Sequence, residues 1–228
     1  YIGRYLYYRG IFEEPVVAAI RRWARPGTTV VDVGANLGQH TLVLAHCVGP
    51  QGRVIAVEAQ RNVFALLNAN VARNALGNVT AVQAALADNP GAARLYQLNP
   101  GNSGEASLHA GTAELEARVP AETVRVETLD GLLARLGAAP IDFVKLDVEG
   151  AELMFASDPP RAVLIEFSRR HLARFGTTPF ELAAYLSGRG YRLSVAQRGR
   201  WLPIPPEAIV DGDVLGIRGN DPIPSGQP

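Results

Sequence analysis

The sequence predicts an α/β protein built on a Rossmann-like, doubly wound sheet, mostly parallel with an antiparallel edge strand. Three observations carry that reading. Residues 30–38, Val-Val-Asp-Val-Gly-Ala-Asn-Leu-Gly, run β-branched residues straight into a glycine turn that opens an amphipathic helix. Short apolar runs near 28–33, 53–57, 79–83, 92–98, 122–126, 141–146, 162–167, 190–195 and 213–217 alternate with helical patterns, which is the order of a βα repeat. Two of these runs end in acids, at Glu58 and Asp147, and open α/β sheets bind ligands outside the carboxyl ends of their strands. With 228 residues and 47% hydrophobic content the chain can bury the core of one domain, expected over residues 1–220.

The elements follow in order. A leading helix is expected over 11–24, within an N-terminal segment of about 1–27. Its aromatics Tyr1, Tyr5, Tyr7, Tyr8 and Phe12 either pack it on the sheet or wall an acceptor pocket. After the first strand, Gly34 supplies the positive φ of the turn, and Gly38 lets the helix approach the strand closely. Between them stands Asn36, where a dinucleotide fingerprint has a glycine that lets backbone approach a pyrophosphate. Gly34-x-x-x-Gly38 therefore argues for a cofactor without one, and S-adenosylmethionine fits. The second strand ends at Glu58, about 20 positions past the turn and placed to accept hydrogen bonds from ribose hydroxyls.

The next helix, about 60–75, turns Phe64, Leu67 and Val71 toward the sheet. Ala84, Ala85 and Leu86 follow the third strand at the same crevice and are expected to contact adenine. Residues 141–152 run an apolar strand into Asp147, Glu149 and Glu152. Acids clustered at a strand's exit are a functional signal. The four histidines are too scattered for a metal-ligand spacing. His40 lies in the first turn after Gly38, facing the methionine part of the cofactor or the acceptor; His46 is a packed or surface residue. His109 follows Asn102-Ser103-Gly104 in a stretch that reads as a lid. His171 follows Glu166 and Ser168, on the acceptor side or in solvent. Trp23 and Trp201 read as structural, and residues 221–228 as a frayed tail.

Together, Val31-Asp32-Val33-Gly34-Ala35-Asn36-Leu37-Gly38, Asn102-Ser103-Gly104, Glu127-Thr128-Leu129-Asp130 and Lys145-Leu146-Asp147-Val148-Glu149-Gly150-Ala151-Glu152 resemble the FkbM-type family of S-adenosylmethionine-dependent methyltransferases. The resemblance extends from about Gly10 to Phe167. It implies a class I methyltransferase sheet and O-methylation of a hydroxyl on a sugar or polyketide-like natural product. Carried onto this chain, it implies cofactor contacts from Asp32, Gly34, Ala35, Asn36, Gly38 and Thr41 around the turn. From the later strands and loops it adds Glu58, Ala84, Ala85, Asn102, Ser103 and Asp147. One departure stands out: between Glu152 and Val163 the family has a longer helical crossover, whereas Met154–Pro160 leaves a tight connection.

Methyl transfer is an in-line displacement, so the main task is to hold an acceptor atom about 3 Å from the methyl carbon. A carboxylate or histidine that takes the hydroxyl proton adds roughly 10² to 10⁴ in rate. Asp147 is the first candidate for base or acceptor anchor, and it also reads as a cap of the next helix. Glu149 and His40 are the further catalytic candidates. The favoured reading has no metal; the alternative places Mg²⁺ on Asp147, Glu149 and Glu166. Formal net charge is zero with no basic run, which argues against a nucleic-acid partner and for a small hydroxylated acceptor. No apolar run reaches the roughly 18 residues of a transmembrane span. The single Cys47 cannot form an internal disulfide and reads as helix packing, which suits a cytoplasmic setting. The chain begins at Tyr1 without Met, in keeping with a domain of a larger protein. Two other classes compete: a nicotinamide-dependent oxidoreductase, which Asn36 counts against, and a non-catalytic cofactor-binding scaffold domain.

Overall fold

A computed structural model describes residues 13–98, 106–109, 112–138, 140–147, 159–197 and 200–221. In chain order its elements are α1 (Glu14–Trp23), β1 (Thr29–Val33), α2 (Gln39–Val48), β2 (Arg53–Glu58), α3 (Arg61–Arg73), β3 (Val79–Gln83), β4 (Ala85–Leu86) and β5 (Gly91–Gln97). There follow β6 (Ala106–Ser107), α4 (Ala113–Arg118), β7 (Ala121–Glu127), α5 (Leu129–Leu136), β8 (Phe143–Leu146) and β9 (Ala162–Phe167). The chain closes with α6 (Arg169–Arg174), α7 (Pro179–Gly188), β10 (Tyr191–Gln197), β11 (Arg200–Pro203) and β12 (Gly212–Arg218).

The main sheet has eight strands in the order β11-β10-β12-β9-β8-β1-β2-β3. The five strands from β3 to β9 are mutually parallel. The doubly wound sheet expected from the sequence is therefore present. Its antiparallel edge is wider than one strand, because β12, β10 and β11 all run in antiparallel pairs. The strand order reverses at β1, which has β2 on one side and β8 on the other. The crevice at that switch point lies over Gly34, Glu58 and Asp147.

β1, β2 and β8 carry Val, Ile, Leu and Phe on both faces and are buried nearly throughout, as expected of strands with helices on both sides. On one face, Val31, Val33, Ile55, Val144, Leu146 and Ile165 pack with Leu129 and Leu132 of α5, Leu172 of α6, and Leu182 and Leu186 of α7. On the other, Val30, Val54, Phe143, Leu164 and Leu215 pack with Val16, Ile20 and Trp23 of α1 and with Leu44, Ala45 and Val48 of α2. Pro15 in the first turn of α1, and a Thr178–Glu181 capping box with Pro179 opening α7, fix where those helices start.

The two apolar runs expected at 92–98 and 122–126 are strands, but they leave the main sheet. β5 and β7 pair antiparallel and, with the short β4 and β6, make a second sheet in the order β4-β7-β5-β6. The reason is in their composition. Gly-Ala-Ala-Arg-Leu-Tyr-Gln and Ala-Glu-Thr-Val-Arg-Val-Glu expose charged or small residues along much of their length, and such strands cannot sit between two helical layers. Their buried residues Leu95, Val124 and Val126 close a small cluster with Ala85.

Candidate functional site

The site begins with the turn after β1. Gly34, Asn36 and Gly38 all have positive φ, at 74°, 50° and 91°. Glycine meets that requirement at two of the three positions without steric cost. At the third, the Asn36 side chain folds back so that its Oδ1 accepts the Leu37 N–H at 2.8 Å. The Gly34 and Ala35 amides both donate to Val57 O, at 3.0 and 2.9 Å. Gly38 was expected to let the helix approach the strand; instead, a Cβ there would meet Leu67 Cδ1 of α3 at 2.7 Å, so the close approach is between turn and neighbouring helix.

Glu58, at the end of β2, is 7% exposed. Its Oε2 accepts the Asn36 N–H at 2.9 Å and its Oε1 accepts the Gln60 N–H at 2.8 Å. Burial pushes its carboxyl up, and these backbone donors offset only part of that rise. One carboxylate thus ties the turn after β1 to the end of β2. Ala84 is buried against the main core, and the Ala85-Leu86 backbone pairs with β7, so Ala84 and Ala85 bring the second sheet to the rim of the same crevice.

Asp32 lies within β1, fully buried. Its Oδ2 accepts from Thr41 Oγ1 at 2.6 Å, while its Oδ1 has no hydrogen-bond partner and lies 3.8 Å from Lys145 Nζ. Thr41 is itself fully buried, so it acts by orienting Asp32. Lys145 on β8 stands beside Asp32, its Cα partner in the β1–β8 ladder, and reaches Asp147 Oδ2 at 3.2 Å. Burial opposes the Lys145 charge, but Asp147, Asp32 and Glu13 outweigh it and hold the ammonium above its ordinary range. Loss of hydration pushes Asp147 up; the Lys145 ammonium and a side-chain hydrogen bond with Glu166 more than reverse this and hold it below the usual carboxylate range. With 37% of its side chain exposed, Asp147 remains reachable by a ligand.

Around Asp147 and Lys145 a narrow cavity is lined by Glu13, Asp147, Glu166 and Asp213, with Val16, Leu146 and Leu164 beneath. Glu13 is the N-cap residue of α1, and Asp213 faces Glu166 across the antiparallel β9–β12 ladder. Burial raises Glu13 to about 7 and Asp213 to about 6. His40, expected beside the reacting groups, is buried with its Nε2 3.5 Å from Glu13 Oε2. Burial together with the Lys145 charge lowers it to about 3, so its ring stays neutral. His46 sits on the surface with Nδ1 2.7 Å from Leu42 O, and His109 stacks edge-on against Phe175 with 4.8 Å between centroids.

The structure therefore brings Asp32, Gly34, Asn36, Glu58, His40, Asp147 and Glu166 to one end of the parallel strands. Glu149, Asn102 and Ser103 lie outside the described residues, as do Tyr1 to Phe12 and the 148–158 connection. Among the described residues no group of three or more metal-ligating side chains is arranged to hold a metal ion. Sequence reasoning missed Glu13, Lys145 and Asp213 as site residues. The signal for Asp213 was present: an acid opening the last strand of an antiparallel edge comes back beside a parallel strand's carboxyl end. Glu127 and Thr128 prove to be supports, Glu127 holding Arg135 at 2.8 and 3.1 Å and Thr128 capping α5 through Gly131 N–H.

Comparison with known proteins agrees with this geometry. Residues 32–193 match the Methyltransferase FkbM domain. A curated relative, the AMB antimetabolite synthetase AmbE of Pseudomonas aeruginosa, is 30% identical over 176 residues, which is 64% of this chain and 8% of the synthetase. The chain thus spans less than a tenth of that relative's length. Among solved structures, the O-methyltransferase TomG of Streptomyces achromogenes superposes with a TM-score of 0.52 at 15% identity, covering 91% of this chain and 80% of TomG. Methyltransferase FkbM of Methylobacillus flagellatus superposes with a TM-score of 0.50 at 17% identity, over 84% of this chain and 43% of its own. The fold is that of these enzymes, and with the domain match covering most of its length, the chain belongs to the FkbM-type family of S-adenosylmethionine-dependent methyltransferases.

Proposed function

We propose that this chain transfers a methyl group from S-adenosylmethionine to a hydroxyl oxygen of a small, neutral, hydroxyl-rich molecule such as a sugar or a natural-product intermediate. The residues at the strand ends fit the cofactor. Asp32, fully buried beneath the turn, supports that end of the strands, its Oδ2 accepting from Thr41 and its Oδ1 facing the Lys145 ammonium at 3.8 Å. Glu58 still has lone pairs beyond those used by Asn36 and Gln60, enough for a ribose hydroxyl. The turn itself is made rigid by its own hydrogen bonds before any ligand arrives. Bound there, the cofactor supplies an electrophilic methyl on a sulfonium, which leaves as a neutral thioether when the new O–C bond forms.

The single observation that carries the catalytic assignment is Asp147: ionised, over a third exposed, and at the carboxyl end of the strand beside the cofactor turn. Such a carboxylate accepts a hydrogen bond from an acceptor hydroxyl, fixes its oxygen for in-line attack, and takes its proton as attack proceeds. Lys145 is held charged and so does not serve as a neutral base. A scaffold without turnover would keep its strand-end acid buried and salt-bridged; here Asp147, though paired with Lys145, keeps 37% of its side chain exposed at the mouth of the narrow cavity. The neutral acceptor rests on a formal net charge of zero and the absence of any basic run in the sequence.

Asp147→Asn tests the assignment, since it keeps the shape and removes the charge. Calorimetric titration should show S-adenosylmethionine binding close to wild type and no binding of NAD, while kcat falls by roughly 10² or more. Full turnover in the variant would remove Asp147 as base, and labelled-methyl transfer to nucleic acid rather than to glycosides or polyketides would overturn the acceptor class.

A further inference from the structure

The geometry points to Lys145 as a positioning residue for methyl transfer: its ammonium, 3.2 Å from Asp147 Oδ2 and 3.8 Å from Asp32 Oδ1, decides which carboxyl of the pocket carries the charge and so keeps Asp147 able to accept a proton. This deepens the reading above and rests on it for the role of Asp147 as base. Among the described residues, Asp147 is faced by Lys145 from its own strand, Asp32 from β1, Glu58 from the end of β2 and His40 from α2. From the other side it is faced by Glu13 at the start of α1, Glu166 from β9 and Asp213 from β12. His40 is neutral, so among the described residues this ring of carboxyls shares the Lys145 cation.

Distance settles the allocation. Glu13 and Asp213 line the same cavity, yet among the described residues the direct ion pairs of Lys145 are with Asp147 and Asp32. Without an ammonium in contact, Glu13 and Asp213 are raised to about 7 and about 6, which shows what this pocket does to a carboxyl left to itself. Asp147, hydrogen-bonded to the ammonium at 3.2 Å, moves the opposite way, whereas Asp32, 3.8 Å from the same ammonium and fully buried, stays raised by its burial, so the closer and more exposed carboxyl takes the charge. A protonated Asp147 is too weakly basic to take the acceptor's proton, so the ammonium sets the lower limit of the pH range in which the site turns over. Lys145 reaches that place because it is the β8 residue two before Asp147, and side chains two apart on a strand share a face. It is only 5% exposed, so water does not compete for its charge.

The experiment compares pH profiles of kcat for wild type, Lys145→Met and Lys145→Arg, with cofactor affinity and urea unfolding measured on each. Between pH 6 and pH 8 the wild-type profile is expected to be flat. That of Lys145→Met should rise roughly two- to tenfold, the range set by groups titrating where Asp213 and Glu13 do. Lys145→Arg, which keeps the charge, should restore most of the flat profile. A merely structural lysine would lower kcat or stability uniformly without moving the profile, and that result overturns the proposal. Should Lys145→Met fail to fold, carboxyl ¹³C NMR of the wild-type protein, assigned with Asp147→Asn, provides the test. At pH 6 the Asp147 signal should be that of a carboxylate while Glu13 is still largely protonated. A protonated Asp147 at pH 6 overturns the proposal. Wild-type kcat in Asp147→Asn would instead overturn the base assignment, leaving the NMR result to judge Lys145 on its own.

Discussion

Replacing Glu58 with alanine tests the cofactor side of the site. The carboxylate accepts two backbone N–H groups, from Asn36 at 2.9 Å and Gln60 at 2.8 Å, in a setting only 7% exposed. Hydrogen bonds to a charged group are worth about 1.5–3 kcal/mol each, and part of that returns where the freed amide finds water. Gln60 is half-buried and can recover some; Asn36, at φ 50°, also loses the contact that holds its turn in the left-handed region. A stability loss of about 2–4 kcal/mol follows. If Glu58 also accepts from the ribose, losing that bond costs on the order of 1.5–3 kcal/mol in binding, or roughly ten- to a hundredfold in Kd. Glu58→Gln is the graded control: it keeps one acceptor oxygen and aims an NH₂ at the other donor, so its losses should fall between wild type and alanine. Urea unfolding reads the first quantity, and calorimetric titration with S-adenosylmethionine on protein shown to be folded reads the second. Wild-type affinity in folded Glu58→Ala would show that Glu58 only frames the turn, and the ribose assignment would be wrong.

Gly38→Ala should destabilise the protein by about 1–3 kcal/mol from its φ of 91° together with the approach of a Cβ to Leu67 Cδ1 at 2.7 Å. Adding Leu67→Ala should relieve the second part and not the first, so a double variant whose unfolding free energy is the plain sum of the two singles would refute the contact. The pH dependence of stability carries a definite sign. Glu13 and Asp213 sit above their unfolded values, so the folded state holds protons that the unfolded chain gives up. Their cost is absent below about pH 4, grows as pH rises, and is complete above about pH 7. It amounts to on the order of 1–2 kcal/mol once the 37% exposure of the Glu13 side chain is allowed for. Urea midpoints at pH 5 and pH 8 should therefore separate less in Glu13→Gln/Asp213→Asn than in wild type; an equal separation would show both carboxyls to be well hydrated.

What could be read from the sequence follows physical range. β1, β2, β8 and β9 were legible because strands buried on both faces must be continuous apolar runs, and the turn after β1 because only a few residue types tolerate positive φ. Glu58 and Asp147 were legible for a related reason, since each ends such a run. The membership of β5 and β7 in a second sheet was not: a half-exposed strand announces one wet face without saying which sheet supplies the dry one. Nor was Lys145, since a lysine inside an apolar strand has a role only through the carboxylates that surround it in space, and Asp32 lies 113 positions away in sequence. Glu13 required the docking of α1, which is written in no local pattern; Asp213 was signalled only by its place at the start of an antiparallel edge strand, and its pairing with Glu166 required the register of β12.

That division also bears on where acceptor choice resides. Asp32, the glycine turn, Glu58, Lys145, Asp147 and Glu166 all fall within the segment 32–193 that matches the family domain, whereas Glu13 and Asp213 come from α1 and β12 on either side of it. The shared segment therefore holds every group assigned above to the cofactor and to proton transfer. The flanking elements contribute the two carboxyls that close the cavity, both raised by burial, Glu13 to about 7 and Asp213 to about 6. A protonated carboxyl donates one hydrogen bond and accepts others, so under the proposed function Glu13, raised to about 7, meets an acceptor hydroxyl as a donor for much of the time at neutral pH, while Asp213, raised to about 6, meets it mainly as a charged acceptor. On the proposed function, a donor and a charged acceptor set beside Asp147 orient one hydroxyl toward it, and the flanking elements rather than the shared segment select which hydroxyl that is.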